Sequence, residues 1–149
     1  LLPDDLIIKK NCSRSMILVH KKFKASVMAS MKVNKSDVSR WGIYNIKKKI
    51  DKNNFIINNV VEKPTIKASP SNNAVIGRYI LPKTIFSKLK SLKPGKSGEF
   101  HITDAIQALI DGNHQFIGHN FSGKYLDCGT MKGYIKSTLE ISKQWNFAW

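Results

Sequence analysis

Ala74-Val75-Ile76-Gly77-Arg78-Tyr79-Ile80-Leu81-Pro82 is the stretch on which the fold turns. Up to Leu81 it is a β-branched and aromatic run of strand character. Beyond it the apolar positions become Ile85, Phe86, Leu89 and Leu92, one side of a helix that Pro82 can open and Pro94-Gly95 must close. Working upstream, Leu6–Ile8, Ser26–Met31, Trp41–Ile46 and Phe55–Val61 are further short strands broken by polar turns. Asn11–Phe23 carries Met16, Ile17 and His20 at helical spacing, with Asn11 or Ser13 able to cap its start, and the polar segment from Lys47 to Asn54 reads as a hairpin loop. Working downstream, Ile102, Ala105, Ile106, Leu109 and Ile110 repeat at i, i+3, i+4, i+7 and i+8, Thr103 and Asp104 offer caps, and Gly112 ends the run. Phe116–Phe121 then reads as a strand, and Met131, Tyr134, Ile135, Thr138 and Leu139 as a final helix. This order of elements predicts an α/β, mixed-sheet layered fold rather than an all-helical or all-β one.

The 149 residues, 42% apolar, suit one compact unit. No apolar run approaches the roughly 20 residues that cross a bilayer, so no membrane helix is expected. The start, Leu1-Leu2-Pro3-Asp4-Asp5, has neither the basic nor the long apolar region of a signal peptide and reads as a strand cut in its middle. Cys12 and Cys128 have no partner at metal-ligand spacing, which points away from disulfide or zinc scaffolds and towards a reducing cytoplasm. His20, His101, His114 and His119 form no short ligand pair and are expected to be structural or surface residues. The formal charge is +15, but Arg14, Arg40 and Arg78 are the only arginines. A Lys surplus spread among Asn and Ile lacks the Arg-and-aromatic stripe of a nucleic-acid surface, though its field still attracts phosphorylated substrates.

Four clusters stand out as candidates for chemistry: Leu2-Pro3-Asp4-Asp5, Trp41-Gly42-Ile43, Val61-Glu62-Lys63-Pro64 and Tyr125-Leu126-Asp127-Cys128-Gly129. Singly, each has an ordinary structural explanation as a turn or strand end. Together with Ser71-Asn72, Gly77-Arg78-Tyr79, Gly98-Glu99 before Thr103-Asp104-Ala105-Ile106, and Gly133-Tyr134, their order resembles that of the sugar-nucleotide pyrophosphorylases. The resemblance is most specific to the bacterial UTP-glucose-1-phosphate uridylyltransferases and runs from about Leu2 to about Ser142.

The resemblance implies a Rossmann-like nucleotidyltransferase fold with a mixed central sheet, of which residues 1–149 are the carboxy-terminal, sugar-binding part of a single domain. It implies UTP and glucose 1-phosphate as substrates and Mg2+ as cofactor. On it, Asp4 and Asp127 become magnesium ligands, with Asp127 alternatively a cap for the last helix, and Asp5 a structural neighbour. Glu62 would accept from glucose hydroxyls, Lys63 would offset phosphate charge during transfer, and Gly42 would let backbone approach the hexose, with Val75 and Gly77 lining the same pocket. The family's glycine-rich loop, which cradles the triphosphate, has no counterpart among these glycines. The isolated chain is therefore expected to be inactive, and to self-associate or need a complementary amino-terminal fragment. Another sugar-1-phosphate nucleotidyltransferase, such as a thymidylyltransferase, and a non-catalytic Lys-rich polyanion binder are the alternatives.

Overall fold

The computed structural model describes residues 1–92 and 100–145. Its strands are β1 (Asp5–Ile8), β2 (Ser26–Lys32), β3 (Gly42–Lys49), β4 (Asn54–Glu62), β5 (Asn73–Ile80), β6 (Phe116–Asn120) and β7 (Lys124–Asp127). Its helices are α1 (Cys12–Phe23), α2 (Ile85–Ser91), α3 (Ile102–Asp111) and α4 (Met131–Trp145), with a 3-10 turn over Lys35–Arg40. The expected Pro94-Gly95 stop and the Gly98-Glu99 motif lie outside the described residues.

The α/β expectation holds, with a mixed sheet whose ladder runs β2-β5-β3-β4-β6 and closes on itself. The β2–β6 pairing is parallel and the others are antiparallel. Closure between β3 and β5 rests on one registered pair, Ile43 with Ala74. Strand β2 is buried on both faces. Val27 and Ala29 pack with Cys12, Met16 and Val19 of α1, whereas Met28 packs with Ile85, Ala105, Ile106 and Leu109 of α2 and α3. Helices thus cover the ladder on two sides, and the near-continuous apolar run of β2 is what such double burial demands.

Local chemistry explains where the elements begin and end. Asn11 accepts from the Arg14 amide at 2.9 Å and so caps α1, while Lys24 takes the left-handed conformation that ends it. The cap position of α3 is His101, not Thr103 or Asp104; Asp104 sits in the first turn, where a carboxylate meets the positive end of the helix dipole. Trp41 closes the 3-10 turn, so β3 starts one residue later than its apolar run and continues through the exposed Lys47-Lys48-Lys49, of which Lys48 and Lys49 pair with β4 and Lys47 falls in a register shift. The hairpin loop shrinks to residues 50–53. There the Asp51 carboxylate accepts from the Asn54 side chain and from the Asn53 and Asn54 amides, which holds its pKa below the usual carboxylate value.

A buried histidine ties three elements. His119 on β6 bonds Asn54 of β4 through Nδ1 (2.8 Å) and Ser15 of α1 through Nε2 (3.1 Å), and burial lowers its pKa. Next to it, Gly118 accommodates Phe55: a Cβ on Gly118 would overlap the ring. Gly118→Ala is expected to destabilise the chain by about 1–3 kcal/mol, as overpacking does, read as a lower urea midpoint with an unchanged m-value.

Candidate functional site

The site is built at the end of a two-stranded ladder that joins sequence extremes. β1 pairs antiparallel with β7, placing Asp5 opposite Asp127 and Leu6 opposite Leu126. Beyond the last pair, the Cys128 amide donates to the Asp4 carbonyl at 2.8 Å, continuing the zipper into the turn. Asp4 and Asp127 are thereby brought to one edge. A Cβ on Gly129 would lie 2.7 Å from Asp4 Oδ2 and 3.3 Å from Asp127 Oδ1, so both carboxylates flank this glycine.

The three aspartates divide their tasks. Asp5 is committed to the chain itself: Oδ2 accepts from the Gly77 amide at 2.6 Å and Oδ1 from the Tyr125 hydroxyl. Asp127 Oδ1 accepts from the Gly129 amide at 2.9 Å, and its other oxygen stands 3.9 Å from Arg40 Nη2. That Arg40 side chain is 61% exposed, so the pair holds Asp127 only weakly. The alternative role of Asp127 as helix cap falls to Thr130, whose Oγ1 accepts from the Gly133 amide at 3.0 Å at the start of α4. Among the described residues no group of three or more His, Cys, Asp or Glu side chains could hold a metal ion. Two carboxylates around a glycine do fit magnesium, which needs one or two protein carboxylates and keeps water and phosphate for its other positions.

The second half of the site comes from the β3–β4 register, which sets Gly42 opposite Glu62. A Cβ on Gly42 would meet Glu62 Oε2 at 3.0 Å and Val75 Cγ2 at 3.4 Å, so the missing side chain leaves room for the Glu62 carboxylate and for approach from the cleft. Lys63 follows in a left-handed conformation, φ 43, its amide bonded to the Trp41 carbonyl at 3.0 Å. For a non-glycine residue this costs on the order of 1–3 kcal/mol, and such outliers cluster at functional sites. Gly77 lines the pocket as expected and serves a second end as well. The place of its missing Cβ is taken by Asp5 and Leu2, and Arg78 clamps the same segment by donating to the Leu2 and Asp5 carbonyls. Gly77 makes room for the chain's own first residues more than for a ligand.

All seven residues singled out from the sequence, Asp4, Gly42, Glu62, Lys63, Val75, Gly77 and Asp127, line one cleft of about 610 Å³. Arg40, Trp41, Tyr79, His101, Thr103 and Tyr125 line it too, though the sequence singles out none of them as a site residue. For Arg40 a signal existed, because it is a rare arginine in a Lys-rich chain and directly precedes Trp41-Gly42. Trp41 packs edge-on against Tyr125, their centroids 5.5 Å apart, bridging the two halves of the cleft. His101 faces the cleft, whereas His20 and His114 make structural hydrogen bonds to Ala25 and Ser26.

Residues 1–144 match the family model described as nucleotidyl transferase. The chain belongs to the nucleotidyl transferase family. A UTP-glucose-1-phosphate uridylyltransferase of Pseudomonas aeruginosa is 34% identical over 140 residues, 92% of this chain and 50% of that protein. In fold, the chain matches apo UDP-glucose pyrophosphorylase with a TM-score of 0.90 at 35% identity, covering 97% of this chain and 53% of that one. It matches a UDP-glucose pyrophosphorylase complexed with UDP-glucose with a TM-score of 0.87 at 35% identity, covering 97% and 55%. This nucleotidyl transferase chain thus spans about half the length of the curated relatives it matches.

Burial, with the nearby carboxylates of Asp5 and Glu62, pushes the Tyr79 hydroxyl up from 10.0 to about 12. The folded chain therefore holds this proton more tightly than the unfolded chain. Its contribution to stability is intact below about pH 10 and lost as the pH rises through about 12. Tyr79→Phe should flatten that alkaline decline in urea-unfolding free energy. The slope should not vanish, because Tyr44 and Tyr125 are shifted in the same direction by burial.

Proposed function

We propose that this chain is the sugar-phosphate and metal-binding half of a UTP-glucose-1-phosphate uridylyltransferase, the enzyme that joins UTP and glucose 1-phosphate into UDP-glucose with release of pyrophosphate. The observation that carries the proposal is the convergence of Asp4, Asp127, Glu62 and Lys63 on one cleft from three separate parts of the chain. In the reaction a phosphate oxygen of the sugar phosphate attacks the α-phosphorus of UTP in line, and pyrophosphate leaves. Such transfer asks the protein for positioning and charge neutralisation rather than a covalent intermediate.

Each residue then has a task of its own. Glu62, opposite Gly42, accepts hydrogen bonds from the hexose hydroxyls, and Gly42 with Val75 keeps the ring close to the β3 backbone. Lys63 reaches the phosphates as a point charge, its strained backbone fixing where the stem leaves β4. Asp4 and Asp127 would hold magnesium, which when bound neutralises charge on the phosphates. Arg40, beside Asp127, is placed to add to the field on the same phosphates. The phosphorylated substrates and the free thiols of Cys12 and Cys128 support a cytoplasmic setting. Among the described residues, no helix is long and apolar enough to cross a membrane. Met131, Tyr134, Ile135 and Leu139 form an exposed apolar face on α4, which favours coverage by a second copy or by the rest of the family fold.

Two outcomes test this reading. In the chain extended to the relatives' full length, Lys63→Ala should lower kcat by about 100- to 1,000-fold, the scale seen when one charge-stabilising donor is removed, with the unfolding midpoint unchanged. In a pyrophosphate-release assay with UTP, glucose 1-phosphate and magnesium, the 149-residue chain alone should be inactive and should gain activity when the amino-terminal half of a relative is added. Positioning can supply roughly 7–11 kcal/mol of barrier reduction, and the nucleotide must be held for that to operate. Turnover by the chain alone at the rate of the reconstituted pair would contradict the assignment.

A further inference from the structure

A side-chain cation already stands at the Asp4–Asp127 edge. Asp127 spends Oδ1 on the Gly129 amide, which leaves Oδ2 as the oxygen free for a ligand, and Arg40 Nη2 lies 3.9 Å from that oxygen. A guanidinium and a divalent ion beside one carboxylate oxygen repel each other. Arg40 is therefore set in competition with any ion held between Asp4 and Asp127.

The hold of Arg40 on Asp127 is loose. Its side chain is largely exposed, the pair is longer than a hydrogen bond, and the residue borders open space on two sides, the cleft of about 610 Å³ and a neighbouring concavity of about 510 Å³. Its backbone, in contrast, is fixed. Arg40 ends the 3-10 turn, and the next residue, Trp41, donates its amide to the Val38 carbonyl and accepts from the Lys63 amide at 3.0 Å. A long cationic side chain is thus mounted one residue from the point where the chain reaches Lys63, with the Trp41 ring centroid 5.9 Å from its guanidinium as a resting face.

We infer that Arg40 serves two anions in turn: it pairs with Asp127 while the cleft is empty and moves to the phosphate of the sugar phosphate when Asp127 takes up its ion. This deepens the function proposed above and rests on it, since that reading supplies both the ion and the phosphate. The fork of a guanidinium suits the second partner better than the first. Two N–H groups engage two phosphate oxygens at once, whereas Asp127 offers a single oxygen at long range. The exchange couples the two halves of the cleft, because the charge that leaves Asp127 is the charge that the phosphate gains.

The test measures two affinities of the 149-residue chain: for Mn2+, from the electron paramagnetic resonance signal of the free ion, and for glucose 1-phosphate, by calorimetry without metal. Arg40→Gln should tighten Mn2+ binding by about threefold or more, because a competing charge is gone, and weaken glucose 1-phosphate binding by about tenfold, because a charged donor is gone. A damaged fold would weaken both, so the opposite signs are the signature. Arg40→Lys should bring Mn2+ affinity back to within about twofold of the parent, since charge alone sets it, without restoring full affinity for glucose 1-phosphate. Lys49→Gln, at the other end of β3, should change each affinity by less than about twofold, which separates Arg40 from the net charge of the chain. Mn2+ affinity that is unchanged or lower in Arg40→Gln, or unchanged affinity for glucose 1-phosphate, would overturn the exchange and leave the Asp4–Asp127 site standing. A parent chain with no saturable Mn2+ binding sensitive to Asp4→Asn would overturn the metal-site reading and this inference with it.

Discussion

The pairing of β1 with β7 is the constraint on which the rest of the site depends. Only four residue pairs make this ladder, yet it brings Asp4 and Asp127 from opposite ends of the sequence to the two sides of Gly129. A two-stranded ribbon is marginal by itself. Here it is anchored sideways: the Leu2 amide donates to Gly77, the Gly77 amide donates to Asp5, and Arg78 clamps the Leu2 and Asp5 carbonyls. The Gly77-Arg78-Tyr79 run of β5 therefore fastens the Asp4–Asp127 edge to the closed ladder, and the same strand supplies Val75 and Tyr79 to the cleft.

A consequence is that stability and site geometry are coupled unevenly. The packed clusters on either side of β2 involve neither aspartate, whereas the Asp4–Asp127 edge is held by hydrogen bonds and by Leu126 and Tyr125 of β7. Burial and the Asp5 contact raise the Tyr125 pKa, so its hydroxyl stays a donor to Asp5 across the physiological range. Asp5 is thus part of the frame on which Asp4 is carried. Gly129 works at the same point, because a side chain there would press on Asp4.

Much of this was legible in the sequence because burial leaves a period. The helix from Ile102 to Gly112 repeats apolar residues at a spacing that admits one reading, and the apolar runs beginning near Ser26 and Phe55 are marked as strands by their shortness and their polar turns. Boundaries are legible only where the capping chemistry is local: of the two candidate caps Asn11 and Ser13, Asn11 caps α1, but the cap position of α3 is His101, whose side chain makes no cap bond. The lysines of β3 hid the end of that strand, since an exposed strand face carries no apolar signal. β7 shows in the sequence as a motif rather than a strand, because four residues paired to a partner far away in sequence show no period. The candidate site residues stand out through motif order, not through the physics of the single clusters. That Arg40, Trp41, Tyr79 and Tyr125 face the same space shows only in the packing of the 3-10 turn, β5 and β7.

The central claim is that Asp4 and Asp127 form one cation site across the β1–β7 ladder. Its most direct measurement is a titration of the chain with Mn2+, a paramagnetic stand-in for magnesium, following line broadening of the backbone amides. The account predicts that amides beside Asp4 and those beside Asp127 and Gly129 broaden together, at one affinity, and that Asp4→Asn or Asp127→Asn alone abolishes broadening at both. Broadening confined to one of the two aspartates, or surviving either substitution undiminished at the other, would contradict it.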